Sequence, residues 1–215
     1  MSSDAPVLII ACGALAREIV ALKRVNGWSA MDVQCLPPEL HNRPEQIPAA
    51  VQDAINEARG RHARIFVAYA DCRTGGRLDA VLQAEGIERL PGAHCYEFYA
   101  SSAAFEKLAD EEPGTFYLTD FLVRHFDRLV IEGLGIDKHP ELTGEYFRNY
   151  RRLVYLVQSE DAELSAAARV AAGKLGLAYE ERHTGYGELA TGLESAVRPS
   201  NGPSTGTEKR VAWHR

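Results

Sequence analysis

Apolar runs of strand length alternate with stretches of helical period along most of this chain, and that alternation restricts the fold more than any other feature. Residues 7–11 form a continuous apolar run, the pattern of a strand covered on both faces. Leu15, Ile19 and Leu22 then recur at helical spacing across 14–24, with Gly27 just beyond. The pattern continues with a strand at 32–36, a helix from Pro48 through Ala58, a strand at 64–70, a helix at 78–85 and a strand at 87–90. Further on come a helix at 99–110, an extended segment at 116–118, and helices at 120–130 and 140–151. The last elements are a strand at 153–157, an alanine-rich helix at 162–175, a strand at 177–182 and a helix at 186–196. Strands separated by helices pair in parallel through right-handed crossovers. The sequence therefore predicts an α/β, Rossmann-like fold: a mostly parallel sheet with helices on both faces. One domain over 1–197 is expected, with two α/β halves, about 1–113 and 114–197, as the other way to divide it. The tail 198–215, rich in Pro, Ser, Gly and Thr, has no apolar period and is expected to be disordered.

A net charge of -6 argues against a general nucleic-acid binder, which needs a basic face for phosphates. No apolar stretch approaches the roughly 18 residues of a membrane helix. The segment Met-Ser-Ser-Asp-Ala-Pro puts no basic residues ahead of the short first apolar run, so no signal peptide is expected. The expected location is cytoplasmic, where four cysteines do not form a disulfide framework.

Those cysteines stand singly. Cys12, Cys35, Cys72 and Cys95 each follow a predicted strand. The carboxyl ends of parallel strands share one edge of the sheet, and sites form along that edge. Four thiols distant in sequence can therefore meet there. Close Cys-x-x-Cys pairs, typical of structural zinc, are absent. So are Gly-x-Gly-x-x-Gly, a Walker loop, a Gly-x-Ser-x-Gly elbow and His-Glu-x-x-His.

Each cysteine has informative neighbours. Cys12-Gly13 sits between the first strand and its helix, where a helix N-terminus favours a thiolate. Asp71-Cys72-Arg73-Thr74-Gly75-Gly76 offers an acid, a thiol, a cation and two glycines whose amides suit an anion nest. In His94-Cys95, neighbours in an extended segment point opposite ways, so His94 is a donor to sulfur or substrate more readily than a second ligand. Cys35 leads into a proline-rich loop in which Glu39 and His41 read as parts of an exposed turn. In the second half, Thr119 or Asp120 is a helix N-cap, and the Thr184–Gly187 loop precedes the last helix.

Several segments together carry a resemblance. Ala11-Cys12-Gly13-Ala14-Leu15, Leu40-His41-Asn42-Arg43-Pro44, Tyr69-Ala70-Asp71-Cys72, Gly92-Ala93-His94-Cys95-Tyr96-Glu97, Phe116-Tyr117-Leu118-Thr119-Asp120-Phe121-Leu122 and Thr184-Gly185-Tyr186-Gly187 are similar to domain of unknown function 1638. The resemblance extends to about Ala196 and carries no established activity. Members often lie near genes for corrinoid-dependent methyltransferases. This implies one-carbon metabolism, with a corrinoid protein or methyltransferase as a partner.

The residues themselves point to a metal-dependent enzyme acting on a small molecule. An iron–sulfur cluster held by Cys12, Cys72 and Cys95, with Cys35 as fourth ligand or nearby thiol, is the leading expectation; zinc on the same ligands is the close alternative. His94 and Asp71 are expected as acid/base or supporting groups, and Gly13, Gly75 and Gly76 as points of close approach to a cofactor. A metal-free thiol enzyme using Cys72 or Cys95, or a non-catalytic metal-delivery subunit, are the remaining readings.

Overall fold

The computed structural model describes residues 6–198. Four strands form the first sheet: β1 (Val7–Cys12), β2 (Met31–Leu36), β3 (Arg64–Ala68) and β4 (Glu88–Arg89), in the order β2-β1-β3-β4. Three form the second: β5 (Thr115–Leu118), β6 (Arg152–Val157) and β7 (Ala178–His183), in chain order. Every pairing is parallel. The architecture is α/β and Rossmann-like, and its strands divide between two sheets. Of the expected tail, only Arg198 lies within the described residues.

Burial explains which strand is central. All six residues of β1 are buried, and five of the six in β6, whereas the edge strands β2 and β7 mix exposed and covered positions. Between the strands run α1 (Ala16–Asn26), α2 (Ile47–Ala58), α3 (Arg77–Glu85), α4 (Glu97–Ala100), α5 (Ser102–Glu111), α6 (Asp120–Arg124), α7 (Leu142–Phe147) and α8 (Ala162–Leu175), and α9 (Gly187–Val197) follows β7. No described helix is long and apolar enough to cross a membrane.

The structure departs from the sequence pattern in several places, among them the helix expected at 140–151, which covers only Leu142–Phe147. The helix expected at 99–110 is two, parted at Ser101, which takes φ 64° and caps α5 by accepting from the Ala104 amide. The helix expected at 120–130 stops at Arg124 and gives way to a wider turn over Asp127–Glu132. The strand expected at 64–70 ends at Ala68, because the chain beyond it bonds to the loop after β4.

Asp161 is the N-cap of α8, accepting from the amides of Glu163 and Leu164. Those bonds, with Arg124 beside it, hold its carboxyl below the ordinary carboxylate range. A depressed native pKa adds stability above the unfolded value of about 3.9, lost as pH falls through the native one. Asp161→Ala should therefore lower the denaturation midpoint at neutral pH. The gap between the two proteins should close in an acid titration; a constant gap contradicts this role.

The last helix returns to the first sheet. Leu189, Leu193 and Ala196 of α9 are buried in the same core as β1, α1 and α4. Gly187 makes that return possible. It has φ 45°, and a Cβ there would stand 2.3 Å from the Tyr99 carbonyl oxygen and 2.6 Å from that of Phe98. Gly187→Ala should cost roughly 2–4 kcal/mol, seen as a fall of roughly 5–10 °C in the thermal midpoint. An unchanged midpoint would mean the α4–α9 contact is loose.

Candidate metal centre

The carboxyl edge of the first sheet gathers four loops. At the end of β1, Cys12 is wholly buried. Gly13 follows, and a Cβ on it would meet the Leu36 carbonyl oxygen and Pro38 Cδ, each at 3.0 Å. Its lack of a side chain lets the proline-rich loop after β2 close over the strand end. Gly13 thus serves contact within the protein, where the sequence suggested approach to a cofactor. The loop turns through Pro38–Asn42 and sets His41 Nδ1 3.8 Å from Cys12 Sγ. On the outer side, Glu39 pairs with Arg128 and ties this loop to the turn at Asp127–Glu132.

The loops after β3 and β4 are bound to each other. The amides of Asp71 and Cys72 donate to the carbonyls of Gly92 and Ala93, both at 3.0 Å. Cys72 and Arg73 take φ 49° and 68°, left-handed values that cost side-chain-bearing residues about 1–2 kcal/mol each. Asp71 holds them there. Its carboxylate accepts from the Thr74 hydroxyl at 2.6 Å, the Gly76 amide at 2.9 Å and the Gly75 amide at 3.2 Å. Burial pushes this carboxyl up, but those bonds outweigh it and keep it below its ordinary range. Here the structure corrects the sequence reading. The acceptor in the Gly75–Gly76 nest is Asp71 itself, so these amides are engaged within the loop and Asp71 clamps it.

On the facing loop, Glu97 performs the equivalent task, accepting from the amides of Ala93 (2.8 Å) and His94 (2.9 Å). Gly92, at φ 122°, packs against that carboxylate. Arg89 donates to the carbonyls of Leu90 and Gly92 while paired with Asp79.

These constraints bring Cys95 Sγ within 3.4 Å of Cys72 Sγ. Ligand atoms of His41, Cys72 and Cys95 all lie within 4.8 Å of one another. Cys12 adjoins the group through His41 and is not one of the three. Cys35 stands apart. It pairs in register with Ala11, so its side chain projects on the face opposite Cys12, and it is exposed. The second strand does supply a donor to this edge, but the donor is His41, six residues further on. His94 is also outside the group, beside Tyr96 and Phe105 at ring distances of 6.3 and 6.2 Å; burial lowers its pKa.

The electrostatics are those of donors crowded around a point. Hydrogen bonds to Cys12 and Cys95 push His41 up to about 10. The bond with Cys72, then burial, push the Cys95 thiol well up. Two sulfurs this close resist ionising together unless a cation lies between them. The Tyr69 hydroxyl, fully buried next to Cys12, has no well-formed hydrogen bond to a protein atom. The donor set of two thiols and an imidazole therefore fits a soft or borderline metal ion.

A cavity of about 620 Å³ opens from this group toward the second sheet. Its walls include Tyr96, Phe105, Tyr117, Phe121, Phe147 and Tyr150. The three donors that could hold an ion thus stand at the edge of an open cavity.

The family described as protein of unknown function (DUF1638) matches residues 35–193 of the chain. No curated protein and no solved structure matches it.

Proposed function

The chain belongs to the DUF1638 family, which carries no assigned activity, and we propose that it is a metal-dependent enzyme in which His41, Cys72 and Cys95 hold one ion, zinc foremost. The observation that carries this reading is the 3.4 Å between Cys72 Sγ and Cys95 Sγ. Two thiolates on one tetrahedral zinc stand about 3.8 Å apart for zinc–sulfur bonds of about 2.3 Å. Thiolates of a 4Fe–4S cluster bind separate irons and need a wider spread, while a 2Fe–2S cluster places two on each iron and needs four protein ligands, one more than the three gathered here. The geometry therefore favours a single ion over the cluster that the cysteines alone suggested.

With Nδ1 against Cys12, His41 has Nε2 left for the ion, and Cys12 fixes the ring as an outer partner. When bound, the ion supplies Lewis acidity: it polarises a substrate oxygen or activates a bound thiol or water. The chain's own part is to hold the donors rigid through the Asp71 and Glu97 clamps and to exclude bulk water with the aromatic wall. A small-molecule substrate suits a cavity of this size. The corrinoid methyltransferase link implied by the resemblance would make that molecule a methyl donor or acceptor.

Elemental analysis of protein purified without added metal tests the reading. About one zinc per chain is expected. Iron with labile sulfide and a visible absorption band would restore the cluster. A protein that neither carries nor takes up zinc would leave only the thiol reading.

A further inference from the structure

We propose that the cavity takes a small molecule with a flat apolar body and a single carboxylate, and that Arg73 holds the carboxylate. This rests on the metal-centre reading for the reacting end of the molecule, while recognition of its body and charge rests on the cavity wall.

Arg73 follows the ligand Cys72 directly and lines the cavity. Its left-handed backbone is an unusual conformation for an arginine, maintained by the Asp71 clamp. Among the described residues it has no ion-pair or hydrogen-bond partner, although Arg77 and Arg89 of the same region are both engaged. Its charge bears on His94 and Tyr96, which are parts of the cavity wall. An unpaired guanidinium beside an apolar wall suits one planar carboxylate, met by two parallel N–H bonds. A phosphate would call for further donors, and the adjacent Gly75 and Gly76 amides already serve Asp71.

The body of the ligand is read from the wall. Tyr96, Phe105 and Tyr117 form a continuous aromatic surface, with ring centres 6.1, 5.5 and 4.9 Å apart. Such a surface takes a ring or another flat group by offset stacking. Tyr117 lines the cavity with its ring and is only 8% exposed.

The test is calorimetric titration of the full zinc-supplemented chain with hydrocinnamate, its neutral amide, and propionate, which lacks the ring. Hydrocinnamate should bind about tenfold or more tightly than either comparison compound. Arg73→Gln should abolish the preference for acid over amide, and Arg73→Lys should restore part of it. Arg73 is exposed, so neither variant threatens the core. Equal binding of acid and amide, a preference that survives in Arg73→Gln, or no binding of hydrocinnamate below about 10 mM would each overturn the assignment. The same titration on chelator-treated wild-type protein separates the two readings. A zinc-bearing protein with no acid preference defeats the cavity assignment alone. A protein that never holds zinc yet prefers the acid defeats the metal centre alone.

Discussion

Cys72→Ser and Cys95→Ser, made separately, should each leave less than about a tenth of the wild-type zinc content after dialysis against a weak chelator. Serine nearly matches cysteine in size and removes the thiolate. Both positions lie in loops fixed by other residues: Asp71 and the Gly92 and Ala93 carbonyls for one, Glu97 for the other. The variants should therefore fold, which circular dichroism would check. His41→Ala should lose metal to a similar extent. Cys12→Ser should fall between, with affinity down about 10–100-fold, because Cys12 bonds to His41 and does not belong to the group of three. Cys35→Ser should retain the full wild-type content, since its side chain faces away. The contrast between Cys35 and the pair Cys72 and Cys95 carries the test. Equal zinc in all four serine variants would show that no shared centre exists.

The largest stability effect is expected at Asp120. This residue is 4% exposed, and its carboxylate gathers four donors: the Tyr155 hydroxyl at 2.7 Å, the Gln158 amide at 3.0 Å, the Ser159 amide at 3.1 Å and the Ser159 hydroxyl. In return, Gln158 Oε1 accepts from the Asp120 amide at 2.7 Å. Asp120→Ala would leave the Tyr155 hydroxyl and two amides buried without an acceptor, at a cost of roughly 3–5 kcal/mol. The urea midpoint should drop correspondingly at unchanged slope. Tyr155→Phe removes one donor along with its need for a partner and should cost about 1–2 kcal/mol. The double variant should lose less than the sum, because both changes break the same bond. A loss below about 1 kcal/mol in Asp120→Ala would mean that solvent reaches the network. Thr119 and Phe121 beside Asp120 line the cavity, so the same change should also weaken hydrocinnamate binding.

The sequence made the strands legible where burial on both faces left unbroken apolar runs, as in β1 and β6. It also made legible that single cysteines follow three strands at one edge. Register was hidden. Only the pairing of Ala11 with Cys35 reveals that Cys12 and Cys35 project on opposite faces, and pairing is a long-range property. His41 was hidden for a related reason: its loop is an exposed turn, and nothing local tells that Gly13 lets it close over the strand end beside Cys12. Gly75 and Gly76 read as a ligand nest because their type is right; that the Asp71 carboxylate closes on its own loop depends on the fold of that loop. The break at Ser101 was likewise unreadable, since apolar spacing runs across it.

The placement of α9 against the opening strand has a consequence for synthesis. A nascent chain cannot seal the hydrophobic layer of its first sheet until α9 has been made, because Leu189 and Leu193 complete it. Closure therefore joins β1 to α9 across every element between them, a slow, high-contact-order step that leaves greasy surface uncovered while translation continues. A fragment truncated ahead of Gly187 would stay in that unfinished condition and be prone to aggregate or to recruit chaperones, however intact the loops that carry His41, Cys72 and Cys95.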